Sequence, residues 1–198
     1  MNQLIFASKN RGKIREVRNI FSGSGLNITS LLDLNDNLVI EENEKTFEAN
    51  AIKKANVVFD KYRIPVLADD SGIEVEQLNG IPGVYSARYA GENATDEENN
   101  LKLISELKNY PEPHPARYVC FAVFFNGKNY LTKSGEIKGE IIMSGRGTNG
   151  FGYDPFFVPE GYNQTMAELS PEEKNMISHR AKAFNQLKMK IGILKEKL

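Results

Sequence analysis

Pro65-Val66-Leu67-Ala68-Asp69-Asp70-Ser71-Gly72 is the stretch on which the reading of the fold turns. The apolar run reads as a buried strand, and two acids follow it directly. In open α/β sheets ligands bind at the carboxyl ends of strands, so the pair is expected at a functional edge. Two adjacent carboxylates are costly to bury without partners. A turn closing on Ser71-Gly72 is the structural alternative.

Outward from this strand the chain alternates between the two hydrophobic periods. Gln3 to Ala7 reads as a short strand, and Asn10 to Phe21 as a helix with Ile14, Val17 and Phe21 on one face. A second strand is expected at Leu26 to Thr29. A longer helix follows from about Lys45 to Tyr62, where Phe47, Ala51, Ala55, Val58 and Tyr62 recur at helical spacing, and Pro65 ends it. Thr95 with Glu98 is a capping-box signature, opening a helix that carries Leu101, Ile104 and Leu107. Asn126-Gly127 is a type I′ hairpin signal inside a long antiparallel ribbon from about Arg117 to Ile142. Ser170-Pro171-Glu172-Glu173 is a further helix start, and Ile177, Ala181, Phe184, Leu187, Ile191, Leu194 and Leu198 mark an amphipathic C-terminal helix. These elements predict a mixed α/β sheet with an antiparallel portion.

Bulk composition narrows the function classes. The 198 residues are 40% apolar, enough for one domain or two joined lobes with a normal core. Twenty-five basic against 26 acidic side chains give no general field for gripping a phosphate polymer, which argues against non-specific nucleic-acid binding. The single Cys120 lies in an apolar run and reads as a buried thiol. Neither a signal segment nor a membrane span is visible, so a cytoplasmic protein without membrane partners is expected.

Four groups of residues can carry chemistry. Ser8-Lys9-Asn10-Arg11-Gly12-Lys13 lies between the first strand and the first helix, where N–H groups and the helix dipole favour an anion, although the spacing is not that of a P-loop. Glu41-Glu42 and Asp69-Asp70 are the acidic pairs that can hold Mg²⁺ beside a polyphosphate or accept a proton from water. Gly147-Thr148-Asn149-Gly150-Phe151-Gly152-Tyr153-Asp154-Pro155 joins glycines that admit positive φ to two flat rings, either for a planar ligand or as a turn with core aromatics. Lys174, His179 and Arg180 gather around the joint before the last helix, and Arg88 is open between an ion pair and a substrate contact.

Ser8-x-Asn10-x-x-Lys13, Thr46-Phe47-x-x-Asn50-Ala51, Ala68 to Gly72, Pro82 to Tyr89, Gly150 to Pro155 and Ser178-His179-Arg180 together resemble, in order and spacing, the inosine/xanthosine triphosphate pyrophosphatase family. The resemblance covers essentially the whole chain as a single domain, 1–198. It implies an elongated α/β fold, a mixed sheet in two lobes flanked by helices with the nucleotide cleft between them, and a homodimer. It further implies Mg²⁺-dependent hydrolysis of ITP, dITP or XTP to the monophosphate and pyrophosphate. By motif, Ser8, Lys9, Asn10, Arg11, Gly12 and Lys13 would hold phosphates. Glu41 and Asp70 would hold magnesium, Asp70 would activate water and Ser71 would touch substrate. Phe151, Gly152, Tyr153, Asp154, Lys174, His179 and Arg180 would form the base and sugar pocket. The choices of Asp70 over Asp69 as base and of Glu41 over Glu42 as ligand stay open. Two departures stand out: Asn43-Glu44-Lys45 replaces a family Thr-Gly, and Asn149 replaces a family glycine, where an asparagine in left-handed geometry is expected to preserve the loop. The competing readings are a septum-inhibitor-like pyrophosphatase, a nucleotide-sensing module without turnover and a nucleic-acid-binding module.

Overall fold

The computed structural model describes residues 2–195. Six strands form one mixed sheet in the order β2-β1-β3-β4-β5-β6: β1 (Gln3–Phe6), β2 (Asn27–Ser30), β3 (Val66–Val75), β4 (His114–Phe125), β5 (Tyr130–Ile141) and β6 (Phe157–Pro159). β1 runs parallel to both β2 and β3, and β5 pairs antiparallel with β6. Among the described residues five α-helices accompany the sheet: α1 (Arg11–Phe21), α2 (Phe47–Tyr62), α3 (Asp96–Leu107), α4 (Pro171–Ile177) and α5 (His179–Lys195). The mixed α/β expectation is met. None of these helices is long and apolar enough to cross a membrane.

The chain divides into two compact units, and β3, β4 and β5 contribute to both. The first takes residues up to Asp70, then Cys120–Gly135, then the chain from Arg180 onward. Its strands alternate as a two-sided sheet requires. Leu4, Phe6, Leu67, Cys120, Ala122 and Phe124 join the core with Val17 and Phe21 of α1 and Phe184 and Leu187 of α5. Ile5, Ala7, Val66, Ala68 and Val123 join the core with Ala51, Ala55 and Val58 of α2. α1 and α5 therefore cover one face and α2 the other. Ala181, Phe184, Leu187 and Ile191 keep the expected C-terminal stripe on α5, but Ile177 closes α4 and is cut off from that helix at Ser178, while Leu198 and the Leu194 side chain lie outside the described residues.

The second unit comprises Ser71–Val119 and Glu136–His179, with a core of Ile73, Val75, Leu103, Leu107, Tyr118, Tyr153 and Phe157 among others. Thr95 closes the expected capping box with Glu98 at the start of α3. The buried face of that helix is Leu103 and Leu107, and Leu101 is exposed, because the stripe recurs at i, i+4 from Asn99 and Asn100 rather than from Leu101.

Three local expectations are corrected. The strand does not end before the acids: β3 runs on to Val75, since Ile73 and Val75 keep feeding the core and both carboxylates find partners. The hairpin loop has four residues, Asn126 to Asn129, because the Asn126 side chain accepts from the N–H groups of Lys128 and Asn129 at 3.0 and 2.8 Å and makes the turn itself. Asn149 does not sit at positive φ. It replaces a glycine by donating its Nδ2 to the Leu169 carbonyl at 3.0 Å.

Gly139 faces Pro159 across the β5–β6 pair, and a Cβ there would lie 2.1 Å from the Val158 carbonyl oxygen. Backbone cannot give way as a side chain can. Gly139→Ala is expected to force β6 off β5 and destabilise the protein by about 1–3 kcal/mol, read as a lower urea midpoint at unchanged slope.

Candidate active site

A β-strand sends successive side chains to opposite faces, so Asp69 and Asp70 point away from each other. Asp69 follows the parity of Leu67, toward α1 and α5. It is 1% exposed, and its Oδ2 lies 3.1 Å from Arg180 Nε and 3.2 Å from Lys13 Nζ. Arg180 NH1 in turn meets the buried Glu16 carboxylate at 2.6 Å. Burial works against the charge on Asp69, but Lys13, Arg180 and Lys54 outweigh it and hold the carboxyl well below the ordinary aspartate range. Cys120 lies 3.8 Å from the same carboxylate, and burial pushes its thiol up, which agrees with an unreactive structural cysteine.

Asp70 follows the parity of Ala68, toward α2. Its Oδ2 accepts from Asn50 Nδ2 at 3.0 Å, and its Oδ1 lies 3.4 Å from Lys54 Nζ. Burial raises this carboxyl above the ordinary value, with Lys54 and Lys13 pulling the other way. Lys54 also holds Glu42 at 2.9 Å, and the Asn50 side-chain oxygen accepts from the Glu44 N–H at 3.0 Å. Glu42 is depressed: burial opposes its charge, and Lys54 and Lys13 overcome that. Lys54 is raised, because Asp70 and Glu42 outweigh its own burial. Glu41, in contrast, is exposed. The structure thus brings Glu42, rather than Glu41, to Asp70. Asn43 and Glu44, at the departure from the family pattern, are tied to α2 through Lys53.

β1 pairs with β3 only as far as Phe6 and Leu67, so the chain leaves the sheet beside the acids. There Asn10 caps α1, its Oδ1 accepting from the Lys13 N–H at 3.0 Å, and Ser8 Oγ accepts from the Asn10 N–H at 3.2 Å. Helix geometry leaves the N–H groups of Arg11 and Gly12 without intrahelical partners. Lys9 donates to the Leu38 carbonyl at 2.8 Å and so ties its loop to the segment between β2 and α2. Ser71, half-buried, follows Asp70 along β3.

The second unit holds a separate constellation. Lys174 Nζ lies 2.5 Å from Asp154 Oδ2 and 4.6 Å from the centre of the Phe151 ring, and all but a few percent of Lys174 and Asp154 is buried. Asp154 Oδ2 also accepts from the Phe151 N–H at 2.8 Å. His179 stacks on Tyr118 with centroids 4.7 Å apart and planes 7° apart, and the Tyr118 hydroxyl donates to Asp154 Oδ1 at 3.4 Å. Of the residues expected to form the base pocket, Phe151, Gly152, Asp154, Lys174 and His179 gather here. Tyr153 turns into the core, its hydroxyl donating to the Ser86 carbonyl at 2.8 Å, and Arg180 belongs to the Asp69 cluster. Arg88 pairs with Glu92 at 3.7 Å.

Residues the motifs did not assign are Glu16, Lys54, Tyr118 and the side chain of Asn50. Asn50 and Lys54 stand four apart beside the buried Ala51 and Ala55 of α2, and a polar pair on an apolar stripe is a signal that could have found them. Among the described residues no group of three or more His, Cys, Asp or Glu is placed to hold a metal. A hard divalent cation that keeps its waters needs only one or two carboxylates. Asp70 and Glu42, gathered around the Lys54 ammonium, are carboxylates that could hold such a cation, and Asp69, Asp70, Glu42 and Glu16 outnumber Lys13, Lys54 and Arg180 by one negative charge.

Asp69 has its folded pKa depressed, so its contribution to stability is complete above the unfolded value of about 4 and is lost as pH falls through the folded value. Arg180→Met would remove the guanidinium shared by the buried Asp69 and Glu16 carboxylates and leave Asp69 to Lys13, costing about 3–5 kcal/mol at pH 7. The expected gap between wild type and variant, measured by urea unfolding, narrows as pH falls toward about 4, where the variant's Asp69 takes up a proton that the wild type refuses.

The Ham1 family profile matches residues 4–190. A dITP/XTP pyrophosphatase from Geobacter sulfurreducens is 49% identical over 195 residues, covering 97% of this chain and 98% of that protein. Another from Bacillus subtilis is 44% identical over 189 residues, covering 94% and 96%. A HAM1 protein from Coxiella burnetii superposes with a TM-score of 0.87 at 38% identity, over 99% of this chain and all of that one. The Staphylococcus aureus Ham1 protein gives 0.85 at 39%, over the full length of both. Sequence and fold agree along the length of the chain, which belongs to the Ham1 family.

Proposed function

We propose that the chain is a Mg²⁺-dependent nucleoside triphosphate pyrophosphatase that converts ITP, dITP and XTP into the monophosphate and pyrophosphate. It works as one functional domain across residues 1–198, as a homodimer in the cytoplasm. The observation that carries the proposal is the contrast between two neighbouring aspartates. Asp69 is locked ionised by Arg180 and Lys13, whereas Asp70 is buried, raised and beside Glu42. A general base works best with a pKa lifted toward the operating pH, which favours Asp70 over Asp69. The names of the relatives, dITP/XTP pyrophosphatase, support the same substrate class.

In this reading Ser8, Asn10 and the first turn of α1 bind phosphate oxygens, and Lys13 lies beside the departing pyrophosphate. Asp70 accepts the proton of a water that attacks the α-phosphorus, and the bond to the α–β bridging oxygen breaks. Lys54 and Asn50 hold the Asp70 carboxylate in place. Magnesium, held by Asp70 and Glu42, would supply charge neutralisation on the phosphates. The metal role first assigned to Glu41 passes to Glu42, because only Glu42 reaches the Lys54–Asp70 cluster.

Base selection follows from donors. Hypoxanthine and xanthine present O6 as an acceptor where adenine presents an amino group, so a buried donor is satisfied by the first two and opposed by the third. The N–H groups of Phe151, Gly152 and Asp154 are already engaged by Asp154, Asp96 and the Phe151 carbonyl. Lys174 and His179 carry side-chain donors beside this loop and in this reading contact the base, with Phe151 beneath the ring.

Hydrolysis of ITP, XTP, dTTP and ATP, with and without Mg²⁺ and with pyrophosphate resolved from orthophosphate, tests the reading. Pyrophosphate from ITP and XTP alone, and only with metal, is expected; orthophosphate or equal ATP turnover would overturn it. Asp70→Asn is expected to lower kcat by about 10²–10⁴-fold while ITP binding, measured by calorimetry, is largely kept.

A further inference from the structure

The base-facing loop is held from outside by a helix that no motif assigned to the site. Gly152 donates its N–H to Asp96 Oδ2 at 2.7 Å, and its carbonyl accepts from Asn100 Nδ2 at 3.0 Å. Asp96 and Asn100 are four apart and share one face of α3, so a single helix grips both polar groups of one residue. The helix is itself fixed at that end by the Thr95–Glu98 capping box. Asn99, next to Asn100, ties α3 to the 87–90 segment, accepting from the Ala90 N–H at 2.8 Å and donating to the Ala87 carbonyl at 3.2 Å.

A cavity of about 360 Å³, lined by Asp96, Asn100, Leu101, Phe151, Gly152 and Phe156 among others, opens between α3 and the loop beside the two bonds to Gly152. Asn100 is 7% exposed, and its Oδ1 has no hydrogen-bond partner among the described residues. A buried amide left half-satisfied is costly, and the bond it does make goes to Gly152. Gly152 has φ +62°, while a Cβ there would meet nothing within 4 Å, so the position selects glycine for backbone conformation and not for space.

We propose that Asp96 and Asn100 are positioning residues for base recognition: by clamping Gly152 they set the Phe151–Gly152 peptide and hold the Phe151 ring beneath a purine. The inference deepens the functional reading above and rests on it. A loop freed from the clamp has to be ordered by the ligand, which raises KM and blurs selection between bases while leaving the Asp70 chemistry alone.

Asp96 is exposed, so its replacement opens no core cavity. Asp96→Ala is expected to raise the KM for ITP by about tenfold, the loss typical of a hydrogen bond to a charged group, with kcat within about threefold and a lower ITP-to-ATP ratio of kcat/KM. Asp96→Asn keeps an acceptor and should restore most of the KM and the ratio. A lower Tm with unchanged KM and ratio, or an Asp96→Asn variant as impaired as Asp96→Ala, would overturn the proposal. The chain contains no tryptophan, so Phe151→Trp gives a single reporter that needs no turnover. Adding Asp96→Ala to that variant is expected to introduce a fast nanosecond component into the tryptophan anisotropy decay, and no such component would refute the clamp. Absence of ITP turnover in the wild type would instead sink the functional reading, and the anisotropy result stands apart from it.

Discussion

The buried carboxylate of Asp69 is the constraint around which the first unit is organised. Removing such a charge from water costs several kcal/mol even after relaxation, and the strand that carries it offers no compensation of its own. Lys13 from α1 and Arg180 from α5 supply it, and Arg180 is itself buried only because Glu16 occupies its other arm. Both helices must therefore cover the same face of the sheet, on the side of Leu67. The apolar packing of Val17, Phe21, Phe184 and Leu187 seals that face and keeps the ion cluster dry. Packing and charge require each other here: the apolar core excludes the water that would make the charges cheap, and the charges fix which helix faces can approach.

Strand alternation then separates the fates of two identical side chains. With Asp69 committed to α1 and α5, Asp70 is turned toward α2, where Asn50 and Lys54 meet it and Glu42 shares the lysine. One aspartate is driven down by its cations and the other is driven up by burial. Environments that push two like groups apart are the usual physical basis for dividing a structural role from an acid–base one. No helix or turn could do this with adjacent residues, since only the period of two puts neighbours on opposite faces.

Much of this was legible in the sequence, and the misses have physical causes. Helix starts at Thr95 and Ser170 are legible because a cap is a local interaction, satisfied within three residues. The acids were read as lying past the end of their strand, since charges at interior strand positions contradict propensity; the contradiction is resolved by Arg180, which is 111 residues away. Distances of that kind carry no local signal. The same holds for the place of Glu42 beside Asp70, set by a lysine on α2, and for Tyr153, whose hydroxyl is claimed by the Ser86 carbonyl. Composition placed both aromatics of the glycine loop on equal footing, but only tertiary packing decides which one enters the core.

The glycine loop shows how backbone and side chain can divide the work of recognition. A loop whose N–H groups are spent on internal bonds is a poor source of hydrogen bonds to a ligand, yet those bonds give it a fixed shape. Its neighbours Lys174 and Asp154 are almost fully buried as a pair, so an ammonium is held in a dry place without being neutralised chemically. A donor of this kind discriminates strongly because an ill-matched partner cannot be screened by water. In the proposed reaction it would therefore exclude adenine through a desolvated like-polarity contact, an exclusion that depends on the ring beneath the base staying where the loop puts it.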